Sequence, residues 1–254
     1  MERWKGRVAL VTGASAGIGF AIARALVERG MKVVGCAERD IARIHKLSEE
    51  LRDKPGSLTA IECDVAKEDQ VMTMFQKIRA DSKLGHVDVC INNAALAHPA
   101  PLLTGEASEW RHMFEVNVLG LLMCTKEAFK TMQEKRIDDG HIIIVSSLAG
   151  IRPINDKGLH CYMATKYAVN AIREGLRHEL KELKTHIRIS QVCPGIVETE
   201  FAEHHINKEH AQKLYSSMKC LQPEDVKGAV LYVLDAPPHV EATDIMMRPT
   251  DQLH

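Results

Sequence analysis

The sequence predicts an α/β fold, doubly wound, with a parallel seven-stranded sheet and helices on both faces. Two observations predict it. Short apolar runs alternate with longer amphipathic ones along the whole chain, the pattern of strand–helix units joined into one parallel sheet. The short runs also lack the polar alternation of a half-exposed strand, so both of their faces are buried. Sheets of this kind bind ligands at the carboxyl ends of their strands.

The first strand is RVALVT (7–12), followed by glycines and the helical GFAIARALVERG (19–30). MKVVGCA (31–37) is the second strand and IARIHKLSEELRD (41–53) the second helix; SLTAIECDV (57–65) is the third strand, with a helix over about 67–82. VDVCINNA (87–94) precedes a long helix over about 107–135, and HIIIVSS (141–147) precedes a helix over about 160–184. IRISQVCPG (187–195) is the sixth strand. The segment 200–235 reads as helix, turn at QPED and helix, and TDIMMRP (243–249) is a weak last strand. No repeat, low-complexity tract or linker interrupts the series, so residues 1–254 are expected to form a single domain.

Composition narrows the function. With 45% hydrophobic and 26% charged residues the chain has ordinary globular make-up and enough apolar mass for a large core. A formal net charge of -1 gives no basic excess for nucleic acid or anionic membrane. The seven cysteines are scattered, odd in number and never in a C-x-x-C pair, which reads as reduced, buried thiols in a cytoplasmic protein. There is no signal-type apolar segment at the start, and no apolar run approaches the ~18 residues of a membrane span.

TGASAGIG (12–19) lies after the first strand and opens the first helix. Gly13, Gly17 and Gly19 let the backbone turn sharply and approach a pyrophosphate, whose charge a helix N-terminus favours. A glycine triplet alone is a weak signal, because many such turns merely connect strand to helix. The strand before and the helix after favour the phosphate cradle. The Walker loop is excluded, since no Gly-Lys-Ser/Thr follows.

From this loop onward the chain resembles the short-chain dehydrogenases/reductases over nearly its whole length. The motifs recur in order: Thr12 to Gly19, Asp64, the N-N-A of Asn92 to Ala94, Asn117, a serine after the fifth strand, Y-x-x-x-K at Tyr162 and Lys166, and P-G at Pro194 and Gly195. The resemblance implies a Rossmann-type domain and an NAD(P)-dependent oxidoreductase interconverting an alcohol and a ketone or aldehyde. It implies Tyr162 as acid/base, with Lys166 and an oxidised nicotinamide ring together lowering the phenol's pKa, and Lys166 also holding the nicotinamide ribose. Ser147, three positions before Gly150, would hydrogen-bond the substrate oxygen; the backbone carbonyl of Asn117 would hold a water leading to the lysine. Alone, Y-x-x-x-K would more often be a surface tyrosine and a solvated lysine. The resemblance further places cofactor contacts at Gly13, Ser15, Gly17, Ile18 and Gly19, at Asp64 and Val65, and at Asn92 and Ala94. Tyr162, Lys166, Pro194, Gly195, Val197 and Thr199 complete that set.

Departures from the family pattern concern the cofactor most. NNAA replaces N-N-A-G, placing Ala95 where a glycine is usual. NAD-preferring relatives carry Asp where Ala37 stands, and NADP-preferring ones carry Arg where Glu38 stands or a basic residue where Ala16 stands. Arg39 is the nearest cation, with Arg43 one turn later. The segments MERWKGRVALVTGAS, MKCLQPEDV and DIMMRPTDQ resemble NADP-dependent members, so NADP(H) is expected over NAD(H).

Leu148, Ile151, Ile196, Phe201, Leu214 and Met218 are the candidate walls of a small-to-medium apolar site, suited to a ketosteroid, isoprenoid alcohol or dicarbonyl. The long helices resemble those that pair between subunits, implying a homodimer or homotetramer. EHH at 203–205 has no metal-ligand spacing and reads as a solvated helix or lid, and no metal is expected. The competing reading is a nucleotide-binding regulatory protein that keeps the fold without the chemistry; retention of Ser147, Tyr162, Lys166 and Asn117 argues against it.

Overall fold

A computed structural model describes residues 1–201 and 208–252. Seven strands form one sheet: β1 (Val8–Thr12), β2 (Lys32–Ala37), β3 (Ser57–Glu62), β4 (Val89–Asn92), β5 (His141–Val145), β6 (Arg188–Pro194) and β7 (Asp244–Met247). Every pairing is parallel and the order is β3-β2-β1-β4-β5-β6-β7. The order reverses between β1 and β4, which opens a crevice at their carboxyl ends.

β1 shows why its run does not alternate. Val8 and Leu10 enter the core on one face, Ala9 and Val11 the core on the other. Against the second face pack α1 (Gly17–Glu28) and α2 (Ile41–Glu50), together with α8 (Pro223–Asp235). The first face takes α3 (Glu68–Ala80), α4 (Ala107–Phe114), α5 (Leu121–Glu134) and α6 (His160–Glu182). Each fully buried side chain such as Leu10 or Phe75 contributes about 1.5–3 kcal/mol relative to exposure. The edge strands β3 and β7 are only half covered.

Three expectations change. The long helix over 107–135 is interrupted: a π-helical turn, Glu115–Gly120, joins α4 to α5 around Asn117. Such turns carry an extra residue and re-aim the helix beyond them. Strands expected to end at 65, 94 and 147 end at Glu62, Asn92 and Val145, because their last polar residues leave the sheet to build loops over the crevice. QPED is the start of α8 rather than a free turn. Gln222 is its N-cap, Pro223 its first residue, and Gln222 and Asp225 form a capping box. In 200–235, α7 (Lys208–Ser217) precedes α8; EHH at 203–205 lies outside the described residues.

All seven cysteines are buried and free. No helix among the described residues is long and apolar enough to cross a membrane.

Candidate active site

The loop after β1 is built as the glycines demand. Gly13 and Gly17 have φ of +66° and +52°, the left-handed region that glycine enters without strain. α1 starts at Gly17 with Ala16 as its cap, and a methyl cannot accept from the first-turn amides. Those amides are left for an external acceptor, and a dinucleotide phosphate fits them in charge and position. Ser15 and Ile18 lie in this loop, half-buried. A Cβ on Gly19 would stand 2.2 Å from the Gly13 carbonyl oxygen and 2.5 Å from Asn93 Nδ2, so helix and loop can close together only with glycine there.

Asn93, which sequence reasoning passed over, fixes this loop. Its Nδ2 donates to the carbonyl oxygens of Thr12 (2.9 Å) and Gly13 (3.2 Å). Thr12 Oγ1 in turn accepts from the amides of Asn93 (3.0 Å) and Ala94 (2.9 Å). Asn92 faces elsewhere: buried, it donates to Thr125 Oγ1 at 2.8 Å and ties β4 to α5. Only alternation separates the two asparagines, since adjacent strand residues point to opposite sides.

A cavity of about 290 Å³ borders the glycine loop. Ser15, Ala16, Gly17 and Phe20 line one side, with Arg43, Lys46 and Glu50 of α2 opposite and Glu200 closing it. Arg39, the expected cation, is not among these residues. Its side chain is 75% exposed and lies 3.7 Å from Glu38. Asp64 accepts from the amide of Ala66 at 2.9 Å, an Asx turn that shapes the end of β3 beside buried Val65.

Ser147, Tyr162 and Lys166 come together past the carboxyl end of β5. Ser147 caps a 3-10 turn, Leu148–Gly150, accepting from the Ala149 amide at 3.1 Å. Tyr162 and Lys166 are one turn apart on α6, and both are buried. The Lys166 Nζ lies 5.6 Å from the Tyr162 ring centroid and donates to the Val145 carbonyl oxygen at 3.4 Å.

Of the two groups expected to lower the phenol, the protein's own, Lys166, contributes no lowering in this structure. Burial pushes Tyr162 up to about 12, opposed only by its hydrogen bond with Ser147. Burial likewise pulls the Lys166 ammonium down to about 8, against the influence of Cys193. In this low-dielectric site desolvation decides both shifts.

Asn117 sits on the π turn with its side chain fully engaged. Oδ1 accepts from the Leu96 amide at 2.8 Å; Nδ2 donates to the Leu96 carbonyl at 2.8 Å and to Thr165 Oγ1 at 3.1 Å. Thr165 Oγ1 donates to the Tyr162 carbonyl at 2.6 Å. The asparagine thus pins the loop after β4 to the helix bearing Tyr162.

The segment after β6 closes the crevice. Gly195 donates to the Met247 carbonyl at 2.7 Å and lies against Gln252, where a Cβ would stand 2.2 Å from Oε1. Pro194 ends β6, and Val197 bridges to Leu221. Thr199 is held by the Tyr215 hydroxyl, which donates to its carbonyl at 2.8 Å and accepts from its amide at 3.3 Å. Of the candidate wall residues, Phe201 reaches the reacting group: its ring centroid is 5.9 Å from that of Tyr162. Leu148 is buried and Ile151, Ile196 and Met218 are half-buried; the Leu214 side chain lies outside the described residues. Among the described residues no three metal-ligating side chains converge.

This arrangement has close counterparts. The short chain dehydrogenase profile matches residues 7–210. The chain is 52% identical over 257 residues to "Dehydrogenase/reductase SDR family member 11" of Gallus gallus, covering 100% of both chains. It is 38% identical over 256 residues to "Farnesol dehydrogenase" of Aedes aegypti, covering 99% of each. Among solved structures, a closed form of serine dehydrogenase complexed with NADP+ superposes with a TM-score of 0.87 at 31% identity, over 97% of this chain and 96% of that one. A glycine loop on β1, a Tyr–Lys pair on α6 and these matches along the chain have one explanation: the protein belongs to the short chain dehydrogenase family and is an oxidoreductase.

Proposed function

We propose that the protein is an NADP(H)-dependent oxidoreductase that interconverts an alcohol and a ketone or aldehyde on a small-to-medium apolar substrate, with residues 1–254 acting as one unit. The observation that carries this reading is the meeting of Ser147, Tyr162 and Lys166 beside a loop whose amides suit a dinucleotide phosphate. The cofactor, when bound, supplies or accepts the hydride. In reduction Tyr162, whose pKa burial raises, donates its proton to the carbonyl oxygen; in oxidation the phenol first loses that proton, and the phenolate takes the hydroxyl proton. Ser147 hydrogen-bonds the same oxygen, and the charge that develops there is stabilised in a site from which water is excluded. Lys166 would hold the nicotinamide ribose, and Asn117 positions α6 through Thr165.

The remaining contacts would come from Gly13 to Gly19, Asp64, Val65, Ala94 and the segment from Pro194 to Thr199. Ala37 offers no carboxylate to a free ribose hydroxyl and none to repel a phosphate there, and the serine dehydrogenase neighbour is described with NADP+; both support NADP(H). Phe201 over Tyr162 supports an apolar substrate, and the farnesol dehydrogenase relative supports an isoprenoid among the candidates. Seven free cysteines support a reducing compartment, the cytoplasm. Initial rates with NADPH and NADH against ketosteroids, isoprenoid aldehydes and dicarbonyls test the reading. Turnover of an apolar carbonyl with NADPH is expected, and no turnover of any class with either cofactor would overturn it.

A further inference from the structure

The charges around the cavity beside the glycine loop are unevenly paired. Arg43 and Lys46 leave α2 one turn apart, and Glu50 lies one turn beyond Lys46. Arg24 holds Glu50 at 2.7 Å. Nη1 of Arg43 reaches both carboxylate oxygens of Glu200 at 2.9 Å. No ion pair to Lys46 is found among the described residues. The guanidinium that faces the Ser15–Gly17 wall is therefore already engaged, by a carboxylate delivered from the segment after β6.

Glu200 is itself well fixed. Thr199 before it exchanges two backbone hydrogen bonds with the Tyr215 hydroxyl, and its methyl lies where a Cβ on Gly17 would meet it at 3.1 Å. Phe201 after it lies against Tyr162. The carboxylate is thus presented to Arg43 from both sides of its own backbone.

We propose that Glu200 is a cofactor-specificity residue, which competes with a phosphate on the adenosine ribose for Arg43 and so narrows the preference for NADP(H) over NAD(H). This rests on the dinucleotide reading above. A phosphate offers the guanidinium more charge and more acceptor oxygens than a carboxylate does, so it displaces Glu200 rather than being shut out. The released carboxylate, 44% exposed, can turn to water. An unphosphorylated ribose has no such claim on Arg43 and leaves the pair intact.

Titration calorimetry of adenosine 2',5'-bisphosphate and of adenosine 5'-diphosphate separates the two cases without reference to turnover. Glu200→Gln should tighten the 2',5'-bisphosphate about three- to fivefold, the scale of one exposed ion pair, and change the 5'-diphosphate by less than about twofold. Arg43→Ala should weaken the 2',5'-bisphosphate, and in that background Glu200→Gln should have no further effect. An equal effect of Glu200→Gln on both nucleotides, or a tightening that persists without Arg43, would show only a general field and overturn the inference. Binding of neither nucleotide to the unmodified protein would instead overturn the dinucleotide reading itself.

Discussion

Lys166 sets its ammonium nitrogen 5.6 Å from the ring centroid of Tyr162 while hydrogen-bonding the Val145 carbonyl at the end of β5. Burial moves the two groups in opposite directions, the phenol up to about 12 and the ammonium down to about 8. Both shifts favour the neutral form. The phenol therefore keeps its proton throughout the neutral range and can serve as donor.

Tyr162→Phe removes that proton and little else. Turnover should fall by roughly 100- to 10,000-fold, the usual weight of a general acid or base, while cofactor affinity, followed by nicotinamide fluorescence, stays close to that of the unmodified protein. A folded variant with turnover within a few-fold of the original would remove Tyr162 from the chemistry.

Lys166→Met should exchange activity for stability. An ammonium whose pKa falls from 10.5 unfolded to about 8 folded destabilises the native state. The unfolded chain binds the extra proton between these values, so this penalty is fully present below pH 8 and vanishes as pH rises past 10.5. A difference of that size is worth at most about 3 kcal/mol, reduced by the lost hydrogen bond and ring contact. The variant should melt higher than the original at pH 7, with an advantage that shrinks between pH 8 and 10.5, and should lose turnover and cofactor affinity. An advantage independent of pH would mean that Lys166 is not the buried cation described.

Much of this site is legible in the sequence because its signals are local. Tyr162 and Lys166 are four apart on a helix, and Gly13, Gly17 and Gly19 lie between a strand and a helix. What the sequence hides depends on neighbours far along the chain. The sequence offers Arg39 and Arg43 as cations; that Lys46 joins Arg43 along the cavity, while Arg39 lies beside Glu38, depends on how α2 packs against the loop. The π turn around Asn117 is not legible in the sequence, where the tertiary contacts of that side chain, to Leu96 and Thr165, leave no local signal. Burial of the phenol, which raises its pKa, likewise appears only once the chain is folded.

Asn93→Ala and Asn92→Ala should part company. The first removes the two hydrogen bonds that hold Thr12 and Gly13, leaving buried acceptors unmatched at about 1–3 kcal/mol, and it should loosen cofactor binding beyond its effect on melting temperature. The second breaks the tie to Thr125, so it should lower the melting temperature with cofactor affinity kept. Equal effects on affinity would show that the loop is not fixed by Asn93.

Self-association is expected through α4, α5 and α6. Phe114 on α4, Leu119 on the π turn that joins α4 to α5, and Tyr167 on α6 are exposed large apolar side chains, more than a water-facing helix layer requires. Light scattering at micromolar concentration should give a dimer or tetramer, and Leu119→Lys should shift it to a smaller species with its circular dichroism unchanged. A monomeric unmodified protein contradicts this directly.

Gly19 and Gly228 both lie within helices, and alanine should act on them in opposite senses. At Gly228, on the exposed face of α8, an added Cβ meets nothing within 4 Å. Alanine there lowers the entropy of the unfolded chain and should stabilise by about 0.5–1 kcal/mol. At Gly19 the same methyl would stand 2.2 Å from the Gly13 carbonyl oxygen and 2.5 Å from Asn93 Nδ2. One obstacle is backbone and the other is the side chain that fixes the loop, so neither can yield without opening the cradle. Gly19→Ala should therefore abolish measurable cofactor binding and lower the melting temperature. Cofactor affinity within a few-fold of the original, in a folded Gly19→Ala protein, would mean that the loop after β1 does not hold the dinucleotide.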